Sequence, residues 1–376
     1  MKGLLRLVMA ICRYFPLLIL IVGCDDWGSE KITVEPEALV DKARVDKARV
    51  DKARVDKTRV DERSPELTRV RLAVENYNLK RQQPVSRLLV SSDILDIALS
   101  GESLLVASHG FIDEYDLSNL ERIRRLTFKP ITNHYGDLRD PRVYSVDFSP
   151  GGNEIAFVLE TADGNTEVGV ISDGQKTRLI SGESKLALRK IRYIDATKLL
   201  LATLESEVLL YDRSAGGQVY KRQQSLSSFS DLAMDAGRAV IADESGTVPV
   251  FDPNSGETLF VIRGGNFDRI YDIDIRGSTI LTGGKDRSAS VYTLDRNAVR
   301  KFDAGHQIYA VALNQKADRA AFPLFNNAEA IVMNLDGEKI THSLDGAGKS
   351  LNMLTFVSDK RVLGATYNEI LIWSLE

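Results

Sequence analysis

Apolar and polar residues alternate with period two through most of this chain, and the alternation recurs as a longer phrase. Seven inner strands are centred on Ile97, Val146, Ile191, Leu232, Ile273, Val311 and Leu354, spaced 49, 45, 41, 41, 38 and 43 residues apart. The fifth unit shows the internal grammar. Tyr271–Ile275 alternates, Gly277-Ser278 turns, Thr279–Thr282 forms a second strand, and Lys285-Asp286-Arg287 turns again. Ala289–Tyr292 and Val299–Phe302 supply the third and fourth strands. Short strands punctuated by Gly, Asp, Asn and Ser predict packed antiparallel sheets, and a period near forty residues predicts four-stranded units arranged in a ring. Two stacked β-sandwich domains would use similar strands but give no reason for a sevenfold count.

The phrase resembles the WD-repeat family over roughly Pro84 to Glu376. Third strands end in Tyr115-Asp116, Tyr211-Asp212 and Phe251-Asp252 where that family places Trp-Asp, and Trp373-Ser374 keeps the Trp. Val143–Asn153 is similar to the family's first strand and following turn. Gly305-His306 is the only Gly-His pair, and its blade carries Asn326-Asn327 where the family has a turn Asp. Asp286 occupies a good family turn, but its blade carries Asn266 and Asp268 in place of Gly-His. The resemblance implies an all-β, seven-bladed propeller with a degenerate polar network.

The last blade ends at its third strand, Ile370–Trp373, while a spare strand, Val85–Val90, precedes the first blade's inner strand. Pairing the two would close the ring through both ends of the propeller and leave no open joint.

The N-terminal region reads as an export and anchoring device. Lys2 and Arg6 precede an apolar run from Tyr14 to Gly23 that is shorter than the ~20 residues of a bilayer-spanning helix, which predicts a signal peptide over 1–23. Ile21-Val22-Gly23-Cys24 resembles a bacterial lipobox, which implies acylation of Cys24, palmitate among its lipids; an uncleaved anchor is the alternative. Asp25 and Asp26 resemble the signal that retains lipoproteins in the inner membrane, favouring its periplasmic face over the outer membrane. The only other cysteine, Cys12, would leave with the signal, so the mature body needs no disulfide and has no Cys-based zinc site.

Residues 24–63 form a linker in which Val-Asp-Lys-Ala-Arg begins at Val40, Val45 and Val50 and degenerates at Val55 and Val60. Five residues advance 140° on a helix, so the valines make no stripe and no coiled-coil seam. Each pentad reproduces Asp–Arg and Lys–Asp pairs at helical spacing, predicting a charged helical spacer. Ser64-Pro65-Glu66 reads as a helix start, with Leu67, Val70, Val74 and Tyr77 on one face of a short amphipathic helix over 64–82. The propeller is expected over 83–376.

A formal net charge of −4 with scattered basic residues argues against nucleic acid as partner. The four histidines have no ligand at metal spacing, and no nucleophile-elbow, zincin or phosphate-loop motif occurs, so the expectation is a non-enzyme without cofactor or metal. A ligand-binding or hydrolytic site at the channel mouth stays open as the alternative. In WD-repeat proteins the loops between a fourth strand and the next first strand share one face with the second-to-third strand turns, and that face commonly binds partners. The long Lys129–Arg142 loop supplies His134, Tyr135, Arg139 and Arg142 there, and Phe229, Phe267, Arg269, His306 and Lys349 are expected on the same face. The resulting expectation is a monomeric, membrane-tethered scaffold or assembly factor for envelope proteins.

Overall fold

The computed structural model describes residues 61–70, 79–133, 135–324 and 326–376. Cys24, Asp25, Asp26, the signal segment, the pentads up to Val60, Val74, Tyr77 and His134 lie outside them. Seven sheets of antiparallel strands follow one another along the chain and form the seven blades of a β-propeller. Blades 1 to 6 span Asp96–Thr127, Val143–Ile180, Leu188–Gln223, Phe229–Ile262, Ile270–Asp303 and Ala312–Leu344; blade 7 is Met353–Ser374 plus one strand from the N-terminal side. The only helical elements among the described residues are two 3-10 turns, Gly182–Ser184 and Leu294–Arg296.

Alternation explains the packing. One face of each blade meets the preceding blade and the other meets the next, so both faces are apolar and the core divides into seven layers. In the layer between blades 3 and 4, Leu200, Val208 and Leu210 pack on Phe229, Leu232 and Ile241. An equivalent cluster joins blade 7 to blade 1, where Leu363, Ile370 and Ile372 meet Val90, Leu104 and Val106. Six of the seven inner-strand centres are buried, and Ile97 is partly so. The Asp that follows the third-strand aromatic shapes the next turn. Asp116 and Asp212 accept from the N–H and hydroxyl of Ser118 and Ser214, fixing the turn into the outer strand.

Ring closure follows the sequence expectation. Four strands precede the first blade: β1 (Asp61–Arg63), β2 (Glu66–Val70), β3 (Lys80–Gln82) and β4 (Ser86–Leu89). β4 pairs antiparallel with Glu369–Ile372, completing blade 7. Trp373, fully buried, donates its indole N–H to the Asp345 carbonyl.

The residues before β4 correct the expected helix. β1, β2 and β3 run parallel to the outer strands of blades 4, 5 and 6, adding a fifth strand to each. Leu67 and Val70 therefore do not share a helical face: Val70 packs on the cluster between blades 5 and 6, and Leu67 is exposed. The outer strands offer unpaired N–H and C=O groups along their whole length, and filling those outweighs a weak local helical preference. Pro65, lacking an N–H, stands at the break between β1 and β2. Among the described residues, pairing with the propeller thus reaches back to Asp61.

Candidate functional site: the channel and the loop face

The positions one residue before and one after each apolar centre of the inner strands form two rings, and eleven of these fourteen residues line the central channel. The first ring reads Asp96, Ser145, Lys190, Asp231, Asp272, Ala310 and Met353, and the second reads Ala98, Asp147, Arg192, Ala233, Asp274, Ala312 and Thr355. In blades 2 to 5 a β-bulge lies just before Ser145, Lys190, Asp231 and Asp272. Such a bulge re-aims the residue that follows it. The channel holds a cavity of about 290 Å³ lined by five aspartates with Lys190, Arg192 and Arg276.

An innermost strand has an unpaired edge, and most of these polar groups satisfy it in the neighbouring blade. Asp96 accepts from the Val146 N–H and the Ser145 hydroxyl, and Ser145 in turn accepts from the Ile191 N–H. Asp147 accepts from the Tyr193 N–H at 2.7 Å; Asp272 and Asp274 accept from the N–H groups of Val311 and Leu313 at 2.7 and 2.8 Å. Lys190 bridges Asp96 and Asp231 at 3.2 and 2.9 Å, and Arg276 pairs with Asp274 at 2.9 Å.

The electrostatics divide the aspartates. Burial disfavours an ionised Asp96, but Lys190, Arg192 and the hydrogen bonds from Ser145 and Val146 hold it below the usual carboxylate range. Burial pushes Asp147 and Asp274 up to about 6. Asp272 rises well above the ordinary value through burial and the adjacent Asp231 carboxylate. The arrangement can supply a proton donor beside an ammonium group. No three potential metal ligands cluster among the described residues.

The loop face differs. The Lys129–Arg142 loop folds as a small hairpin, Ile131–Thr132 against Leu138–Arg139, with the Asn133 side chain accepting from the N–H groups of Tyr135 and Asp137. Gly136, at φ +91°, makes its turn. Arg139 grips the buried Glu160 through two hydrogen bonds of 2.7 and 2.6 Å, and Arg142 stands 3.9 Å from the same carboxylate. Between the hairpin, Asp93, His109 and Asp163 lies an open groove of about 770 Å³.

Between blades 4 and 5, Phe267 is 62% exposed. Its N–H donates to Asp286, and the buried Lys301 ammonium sits 4.2 Å from its ring centroid. Asn266 beside it joins Thr282, Tyr292 and Asp286 in one network. Arg269 reaches Ser230 and Glu244. His306 bonds the Ala304 carbonyl through Nδ1, and Lys349 lies over Tyr367 while bonding Asn368. Phe229 is not on the surface: at 4% exposure it is core between blades 3 and 4. The inner-strand alternation points it inward, and this outweighs its nearness to a loop.

Leu138, Leu204, Leu226 and Tyr367 are exposed on this same face, although the sequence did not single them out; each is a lone apolar residue in a short polar segment, which gives little signal. Of twelve exposed large apolar residues among those described, six occupy the connecting segments of this face, Leu138 in the short hairpin among them, and the other six lie on or at the start of the outer strands of the blades and the strands added to them. None occupies a turn of the opposite face.

The fold and these two regions define a seven-bladed β-propeller with a polar channel that stitches its blades and an apolar-studded loop face. No family model matches the chain, and no curated protein matches it.

Proposed function

We propose that this protein is a partner-binding propeller, tethered to a bacterial membrane by lipid on Cys24, that serves as a scaffold or assembly factor for envelope proteins from the periplasmic side. The carrying observation is that the exposed large apolar residues of the described loops and turns all lie on one face. Large apolar side chains on otherwise polar turns have no folding role there, and exposed aromatics such as Phe267 lose little entropy on binding. The Asn266–Thr282–Tyr292–Asp286 network supports a WD-type blade, with Asn266 in place of His and Tyr292 in place of Trp.

Crosslinking in intact membranes followed by mass spectrometry tests the reading. A photo-crosslinker at Leu226 or Phe267 should capture a discrete envelope protein, whereas one at Asn254, on the opposite face, should not. Equal capture from both faces would refute it. A second reading, a small ligand in the channel, is favoured by the cavity and by the raised Asp272 carboxyl that lines it. Against it, most of the lining carboxylates already hold N–H groups of the next blade.

A further inference from the structure

We propose that the outer edges of blades 1, 2 and 3 form a second interaction surface that receives an acidic, extended polypeptide segment as an added strand. Outer edges are treated unequally in this ring. Those of blades 4, 5 and 6 carry the parallel strands β1, β2 and β3, while the sheets of blades 1, 2 and 3 end at Arg122–Thr127, Gln175–Ile180 and Gly217–Gln223 with no fifth strand among the described residues. The occupied half demonstrates the binding mode, parallel strand addition through main-chain hydrogen bonds.

Charge selects the occupant. The three open strands carry seven Lys or Arg residues and no Asp or Glu. Their acidic partners lie deeper: the Asp113, Glu114, Glu167 and Glu207 side chains are 0%, 11%, 23% and 25% exposed, against 31–66% for Arg122, Arg124, Arg125, Arg178 and Lys221. The more exposed member of each of these pairs is basic. Basic side chains on an edge disfavour pairing with a second copy of the same edge, and favour a strand of opposite charge. Ile123 and Val219, 56% and 55% exposed on two of these strands, offer apolar contact to alternate residues of an incoming strand.

The test uses the full chain and a synthetic peptide of about ten residues alternating Glu and Val, with hydrogen exchange read by mass spectrometry. Amides of the three open strands should exchange roughly fivefold more slowly with the peptide present. A Lys-Val peptide should give no protection, nor should a Glu-Val peptide N-methylated at alternate residues, which keeps the charge but cannot extend a sheet. Arg222→Glu should remove protection from Gly217–Gln223 while sparing blades 1 and 2. Four results would overturn the proposal: no protection, protection that survives N-methylation, displacement of β1–β3, or edges fully protected before peptide is added.

Discussion

Lowering the pH from 8 to 5 should stabilise this propeller, and replacing Asp147 and Asp274 by Asn should remove part of the gain. Both carboxyls are pushed by burial to about 6, against an ordinary aspartate value of 3.8. With the folded value above the unfolded one, the native state binds the extra proton, and stability rises as pH falls through 6 toward 4. Two units correspond to about 3 kcal/mol per group at full protonation, and roughly 1 kcal/mol per group by pH 5. Water in the channel lowers these figures, since the Asp274 side chain is 15% exposed. Asp272, raised by burial and by Asp231, acts in the same direction. His342, held by burial below its ordinary 6.5, opposes the gain as pH falls through that value, and Asp96 and Glu154, held below their ordinary values, oppose it below about pH 4.5. The expected profile is a maximum in mildly acidic solution.

Thermal unfolding of the full chain, followed by fluorescence of the buried Trp373, reads the effect. Two groups together should raise the midpoint by a few degrees between pH 8 and 5. The double Asn variant should show a flatter profile. A wild-type midpoint that stays level or falls over this range, or a variant with an unchanged slope, would refute the assignment of the raised values to these channel aspartates.

Other outcomes follow from single contacts. Tyr292→Phe removes the hydroxyl that donates to Asn266 at 2.8 Å and should cost about 1–2 kcal/mol by chemical denaturation. Cys24→Ala should abolish incorporation of a fatty-acid analogue, and unchanged labelling would exclude this cysteine as the anchor. Deleting Gln83 to Val90 strips blade 7 of β4 and removes Leu88 and Val90 from the cluster joining blades 7 and 1. Two such side chains are worth about 1.5–3 kcal/mol each, so the deletion should make the protein insoluble or lower its melting point by many degrees.

The blade count and the closing strand were legible because both rest on period-two alternation, which burial on two faces enforces at nearly every strand position. The channel was legible in principle: once the seven centres are aligned, the flanking residues give both rings. What alignment does not reveal is that these aspartates serve the neighbouring blade's N–H groups, because that depends on how inner strands stand beside one another. β2 resembled a helix because Leu67 and Val70 are three residues apart, a spacing that fits a helix face. Its actual partner, Ala298–Phe302, lies more than 200 residues away, and no local pattern announces it.

Carboxylates from one inner strand hold N–H groups of the next blade at the 1–2, 2–3, 4–5 and 5–6 interfaces, and Lys190 bridges Asp96 to Asp231 across blade 3. Toward blades 7 and 1 the rings turn to Ala310, Ala312, Met353 and Thr355, which bring no carboxylate. Support there moves to the perimeter. β3 pairs with the outer strand of blade 6, the Gln82 carbonyl accepts from the Asp345 N–H, and Arg87 joins Glu369 of blade 7 to the Gly346 carbonyl of the preceding loop. The Arg81–Asp345 pair, with its arginine in solvent, adds at most about 1 kcal/mol, so the main-chain ladder and Arg87 carry this support. Arg87→Ala should therefore speed hydrogen exchange in blades 6 and 7 while leaving blades 2 and 3 unchanged, and Asp147→Asn should do the reverse. Uniform loosening of all seven blades by either substitution would show that the ring opens as one cooperative unit, and the division between channel and perimeter would fail.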